Sequence, residues 1–266
     1  MNLLADIHQR TRAYYSDTAL ARVHRSSVAV VGAGGVGSEF CKNIALLGVE
    51  KLAVCDHDKV SVSNLNRGVF FRRGDVGRLR KVHALRRGLK HLGTSVDVQA
   101  YPVPVEDAPA AFWDADLVVC CVDNDQARLW VNLQLLSQAA PCPCISGAVG
   151  RELIEFKEIL PGRTACLCCG WSTDHYERLL QNQVAEACDE FFVATATAFP
   201  QISSLTSMVA AWMSHAAVNI LSGRKAAWDA ARCCRLNTET GACFLGTLCR
   251  NPECVEPLCR SETKNP

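Results

Sequence analysis

The segment Gly32-Ala33-Gly34-Gly35-Val36-Gly37 constrains this chain more than any other. It follows the apolar run Val28-Ala29-Val30-Val31 and opens a stretch that carries Val36, Phe40, Ile44 and Leu47 on one helical face before Gly48. A buried strand, a glycine turn and a helix in that order make the phosphate-binding corner of a doubly wound α/β sheet. The glycines let the backbone approach an anion closely, and the helix N-terminus attracts it. The alternation then repeats. Leu52-Ala53-Val54-Cys55 ends at Asp56, strands are predicted over 96–103, 117–122, 144–147 and 152–160, and helices over 81–92 and 125–139. Repeated βα units predict a Rossmann-like, mainly parallel sheet with right-handed crossovers.

Beyond residue 160 the pattern is less regular. A cysteine-rich knuckle lies at 166–169, a long apolar helix is predicted over 202–221, and two short strands and a second cysteine cluster follow from Arg232. No repeat or low-complexity linker divides the 266 residues, so one continuous domain is expected. Lys plus Arg is 28 and Asp plus Glu is 27, a net charge of +1 that gives no global field toward nucleic acid or an anionic membrane. Residues 191–223 hold no charged side chain, but Thr195, Gln201, Ser203, His215, Asn219 and Pro200 interrupt them. A buried core helix is expected there, not a membrane span. Asp6 precedes any apolar run, so no secretory signal is expected. The 16 cysteines then read as thiols and metal ligands of a cytoplasmic protein, not as a disulfide framework.

Asp56 stands 19 residues after Gly37, where an acid can hydrogen-bond ribose hydroxyls. Taken alone, the glycine loop would favour a nicotinamide or flavin dinucleotide, and a dehydrogenase is one reading. The loop from His57 through Asn64 to Arg67 argues otherwise, because it returns polar groups and a guanidinium toward the nucleotide, and Lys81 and Arg80 add charge. Attack on a phosphate needs such cations, whereas hydride transfer does not. Arg72, Arg73 and Arg78 read as solvated surface residues. Asp123-Asn124 ends the fourth strand, where ligands of open α/β sheets bind, and Asp123 is placed to hold Mg²⁺ against triphosphate oxygens. The plainer role for Asp123 is the N-cap of the next helix.

The two cysteine clusters, Cys166-Leu167-Cys168-Cys169 and Cys254 through Cys259, each put two thiolates on a turn, and two such turns can close a tetrahedral Zn²⁺ site. Cys166 with Cys169 has the usual two-residue gap and leaves Cys168 a bystander, while Cys249 competes with Cys259, because either would pair with Cys254.

Gly32 through Gly37, Asp56-x-Asp58, Ser63-Asn64-Leu65-Asn66-Arg67, Asp75-Val76-Gly77, Lys81, and Val122-Asp123-Asn124 with Arg128 together resemble the adenylating core of the ThiF/MoeB/HesA superfamily. The resemblance covers about residues 12–259 and implies one adenylation domain over residues 1–266. Within it, residues 12–160 would be the nucleotide-binding core. Residues 161–266 would hold the zinc knuckle, a crossover segment and the C-terminal strands. The resemblance further implies that Gly32, Gly34, Gly35 and Gly37 cradle ATP, that Asp56 holds the ribose, and that Asn64, Arg67 and Lys81 bind and neutralise the triphosphate. It makes Asp123 the Mg²⁺ carboxylate. The segment between Arg67 and Lys81 is longer than the family pattern, so Arg80 can replace Lys81. Arg12, or else Arg10, would reach across a homodimer into the partner's ATP site.

The zinc elements resemble those of the short eukaryotic branch that activates ubiquitin-fold modifier 1, with Cys166, Cys169, Cys254 and Cys259 as ligands. That resemblance implies adenylation of the C-terminal glycine of a ubiquitin-like modifier, a thioester on Cys188, and transfer to a conjugating enzyme. The acids Glu186, Asp189 and Glu190 surround Cys188 and work against its ionisation. The alternatives are a MoeB/ThiF-type adenylyltransferase for a sulfur carrier and an inactive zinc-bound scaffold.

Overall fold

The computed structural model describes residues 7–181, 201–224 and 230–260. Two short helices lead in, α1 (Gln9–Tyr14) and α2 (Asp17–Val23), and α3 (Gly35–Leu46) follows the glycine loop. Next come α4 (Lys81–His91), α5 (Ala110–Trp113), α6 (Asp125–Ser137), α7 (Thr173–Leu180), α8 (Ser203–Leu221) and α9 (Pro257–Arg260). Among the described residues the strands are β1 (Ser27–Val31), β2 (Lys51–Cys55), β3 (Asp97–Tyr101), β4 (Leu117–Cys120), β5 (Cys144–Val149), β6 (Leu153–Ile159), β7 (Ala231–Asn237) and β8 (Cys243–Leu248). They form one sheet in the order β3-β2-β1-β4-β5-β6-β7-β8.

The pairings from β3 to β5 are parallel, as the βα alternation predicts. The expected strand at 152–160 forms, but it pairs antiparallel to β5, and β7 and β8 continue antiparallel. The reason is connection length. Gly150 donates its N–H to Leu153, so a tight hairpin replaces the helical crossover that a parallel strand needs.

Both faces of the central strands are buried, and their residues divide by the two-residue period. Val28, Val30, Leu52, Val54, Leu117 and Val119 face α3, α4 and α8, where Phe40, Ile44, Leu85 and Met213 meet them. Ala29, Val31, Val118 and Cys120 face the opposite way, toward Leu129 of α6 and the cysteine knuckle. Phe40 and Ile44 are fully buried, each contributing about 1.5–3 kcal/mol of transfer free energy. The helix over 203–221 thus packs inside the domain, and no described helix is long and apolar enough to cross a membrane.

The strand order places the site. The chain runs outward through β1, β2 and β3, then returns to lay β4 on the other side of β1. A crevice opens at this reversal, beyond the C-terminal ends of β1 and β4. Those ends are Val31, before the glycine loop, and Cys120, three residues before Asp123.

Candidate active site

The glycine loop is shaped by contacts that only glycine permits. Gly32 has φ +94°, and a Cβ there would meet the Cys121 carbonyl oxygen at 2.7 Å. A Cβ on Gly37 would lie 1.9 Å from the Gly32 carbonyl oxygen, so the first turn of α3 rests directly on the loop. Gly34 is the N-cap of α3, and a Cβ there would meet nothing within 4 Å. That open backbone faces a cleft of about 240 Å³ lined by Gly32, Gly34, Gly35, Asp56, Asn64, Arg67, Lys81 and Asp123.

The carboxylate of Asp56 accepts 2.8 Å hydrogen bonds from the Ala33 and Asp58 amides, so it fastens the glycine loop to the end of β2. Burial pushes its acid up, against the Lys81 ammonium and these two amides. The Lys81 Nζ lies 2.7 Å from Asp58 and 3.9 Å from Asp56. Burial works against the charged form of Asp58 too, but the Lys81 ammonium holds its carboxyl below the usual range. Arg80 is the N-cap of α4 and donates to the carbonyl of His57; His57 lines the cleft, but Arg80 does not. Lys81, not Arg80, therefore presents its charge to the cleft.

Arg67 donates to the Ser63 carbonyl and the Asn66 side chain, while its buried Nε has no partner. Burial lowers its pKa and Asp123 opposes this, which makes Asp123 the carboxylate that Arg67 senses. Asn64 is buried and accepts from the Ser61 amide. Asn124 caps α6, its side chain accepting from the Ala127 amide at 2.8 Å. Capping therefore does not explain Asp123, which is exposed at the cleft.

Arg128 is the residue whose role the sequence left blank. It donates to Ser146 at 2.8 Å, to the Val122 carbonyl at 2.9 Å and to the Gly147 carbonyl at 3.3 Å, tying the turn before Asp123 to β5. Its signal was the spacing Asp123-Asn124-x-x-x-Arg128, one turn into α6.

The thiols of Cys166, Cys169, Cys254 and Cys259 are buried together on the other face of the sheet, all within 4.8 Å of one another. The separations Cys166–Cys254, Cys166–Cys169 and Cys169–Cys259 are 3.8, 3.8 and 3.7 Å. Four sulfurs about 2.3 Å from a common tetrahedral centre would lie about 3.8 Å apart, so the cluster fits a metal held by four thiolates. Cys168 is buried outside the cluster, its sulfur accepting from Asn132, and Cys249 is exposed. Arg12 lies on α1, 3.6 Å from Asp17 and outside this chain's cleft, and Cys188 lies outside the described residues. Cys121 and Cys55 do line the cleft. Burial pushes Cys121 well above the usual thiol range and Cys55 up to about 12, so neither is an ionised nucleophile near neutral pH.

A glycine loop, an acid-clamped turn and facing cations at a sheet reversal define a Rossmann-like α/β protein with an anion-binding cleft. A family model, described as the ThiF family, matches residues 8–254, and the chain belongs to that family. It is 34% identical over 157 residues to the Nedd8-activating enzyme E1 catalytic subunit of Drosophila melanogaster, covering 54% of this chain and 35% of that protein. It is 32% identical over 168 residues to ubiquitin-like modifier-activating enzyme 5 of Caenorhabditis elegans, covering 56% and 38%. The matched parts thus span little more than a third of these relatives. The crystal structure of E. coli MccB with ATP superposes with a TM-score of 0.73 at 19% identity, covering 93% of this chain and 73% of that one. The last likeness is one of fold.

Proposed function

We propose that this chain adenylates the C-terminal glycine of a ubiquitin-like modifier, using ATP and Mg²⁺. The observation that carries the reading is the convergence of Asn64, Arg67, Lys81 and Asp123 on the open glycine loop. A carboxylate oxygen of the modifier attacks the α-phosphorus, the bond to pyrophosphate breaks, and an acyl-adenylate remains. The glycine-loop amides and Asn64 position the phosphates, and Arg67 and Lys81 balance the charge that pyrophosphate carries away. Asp123 would hold the Mg²⁺, which screens triphosphate oxygens when bound. Asp56 would take the ribose while it fixes the loop. Zn²⁺ is the metal that four buried thiolates suit, in a closed structural site.

Two named relatives, ubiquitin-like modifier-activating enzyme 5 and the Nedd8-activating subunit, support a ubiquitin-like modifier as partner. The spacing of the cysteine pairs favours ubiquitin-fold modifier 1. In this reading the whole chain is one adenylation domain and acts in the cytoplasm as a homodimer, with Arg12 reaching the partner's cleft. The thiolate of Cys188 then attacks the acyl carbonyl, AMP leaves, and the thioester passes to a conjugating enzyme.

ATP–pyrophosphate exchange with modifiers ending in a free glycine tests the first step, and no exchange with any of them would leave the zinc-bound scaffold. Arg67→Ala and Lys81→Ala are each expected to cost about 2–4 kcal/mol of transition-state stabilisation in that assay, the cost of losing one preorganised charge. Activity in Lys81→Ala together with loss in Arg80→Ala would reverse their roles. Cys188→Ala is expected to keep exchange but to lose the reductant-sensitive adduct with the modifier on a non-reducing gel. An adduct in that variant would place the nucleophile on another cysteine. Exchange in wild type with no adduct at all would favour the sulfur-carrier reading.

A further inference from the structure

Behind the cleft lies a polar chain that the adenylation chemistry does not itself require. Asp125, in the first turn of α6, is 2% exposed. Its Oδ2 lies 3.1 Å from His175 Nε2, and its Oδ1 lies 3.5 Å from Arg128 Nε. His175 belongs to α7, the helix that follows the cysteine knuckle, and is itself 8% exposed. The ring of Trp171 meets the His175 ring edge-on at 5.2 Å, and Ser172 accepts from the His175 amide to cap the helix. Asp174 and Arg178, on the same helix, are paired with each other at the surface.

A buried carboxylate is costly unless it is paired and hydrogen-bonded. Asp125 is hydrogen-bonded by His175 from a helix 50 residues away and is ion-paired, without a hydrogen bond between Oδ1 and Nε, with Arg128 one turn along its own helix. Arg128 is also the side chain that fixes the turn before Asp123. Arg128 holds the Val122 and Gly147 carbonyls through its terminal nitrogens, so a shift of the Asp125 carboxylate would act on those contacts through the 3.5 Å ion pair at Nε. Gly147 and Arg128 both line the cleft.

We propose that His175 is a positioning residue for the nucleotide site. Its Nε2 hydrogen bond locks Asp125 onto Arg128, and through Arg128 it sets the place of Asp123. The knuckle helix thereby reaches the triphosphate pocket without touching the nucleotide. The inference rests on the adenylation reading to the extent that the cleft takes ATP and Mg²⁺.

The test is calorimetric ATP binding with and without Mg²⁺, which needs no modifier. His175→Phe keeps an aromatic ring against Trp171 but removes the donor, whereas His175→Gln keeps a donor near the Nε2 position. We expect His175→Phe to weaken Mg²⁺–ATP binding about tenfold, the scale of coupling inside one hydrogen-bonded network. Binding of ATP without Mg²⁺ should change little, and His175→Gln should recover most of the loss. In an Asp125→Asn background, His175→Phe should have no further effect. Melting curves and metal content of each variant separate this from general destabilisation. Unchanged Mg²⁺–ATP binding in His175→Phe, or equal damage in His175→Gln, would overturn the positioning role alone. Failure of the wild type to bind ATP would overturn the adenylation reading and this inference with it.

Discussion

Replacing Cys254 by serine is expected to strip the metal and unfold the chain, because Cys254 holds the tail to the knuckle across 88 residues. Structural zinc in four-thiolate sites couples about 10–16 kcal/mol of apparent binding free energy to folding. The whole net stability of a domain is about 5–15 kcal/mol, so the loss is not one that packing elsewhere can absorb. Purified wild type should carry about one zinc per chain, as a single closed four-thiolate site requires. Cys166→Ser should behave like Cys254→Ser. Cys249→Ser, at an exposed thiol, and Cys168→Ala, at a thiol outside the cluster, should keep the metal. Metal-free protein with an unchanged melting temperature would remove the metal centre from this account.

Replacing Asp123 by alanine is expected to reduce pyrophosphate exchange about a thousandfold, the upper end of what one preorganised electrostatic group supplies. The fold should survive, since Asp123 is exposed and Asn124 provides the helix cap. Arg67 should feel the change directly, because Asp123 is the carboxylate that opposes the effect of its burial. Exchange assays alongside melting curves read the two effects separately, and Asp123→Asn tests charge at constant size. Exchange near the wild-type rate in Asp123→Ala would refute the Mg²⁺ assignment. Asp123→Ala should also lose the modifier adduct that depends on the adenylate, whereas Cys188→Ala should lose the adduct alone.

The parallel part of the fold was legible because its information is local. The period of Val28 through Val31, the face carrying Val36, Phe40 and Ile44, and the glycines between them each fix backbone geometry within one turn or one strand. The cleft followed from the same locality, since strand ends in such a sheet are where ligands bind, and Asp56 and Asp123 stand at strand ends. The two cysteine pairs were legible as turns that carry thiols.

What adjacent residues could not specify was the pairing of distant ones. Cysteine spacing alone left Cys249 a rival of Cys259; the family resemblance favoured Cys259, and burial beside Cys169, 90 residues away, agrees, whereas Lys81 was separated from Arg80 only by the direction each side chain takes from the start of α4. The N-cap role that the sequence allowed for Asp123 belongs to Asn124, whose side chain accepts from the Ala127 amide. The antiparallel sense of β6 followed from a hairpin too short for a crossover. The contact between His175 and Asp125, 50 residues apart, left no mark in the sequence, because a buried carboxylate draws its partners from whatever elements pack around it. The sequence alone determined which backbone corners can form and which chemical groups they carry. Tertiary packing decided which groups meet, because the free energy of pairing a buried thiolate, ammonium or carboxylate depends on neighbours that the fold brings together from afar.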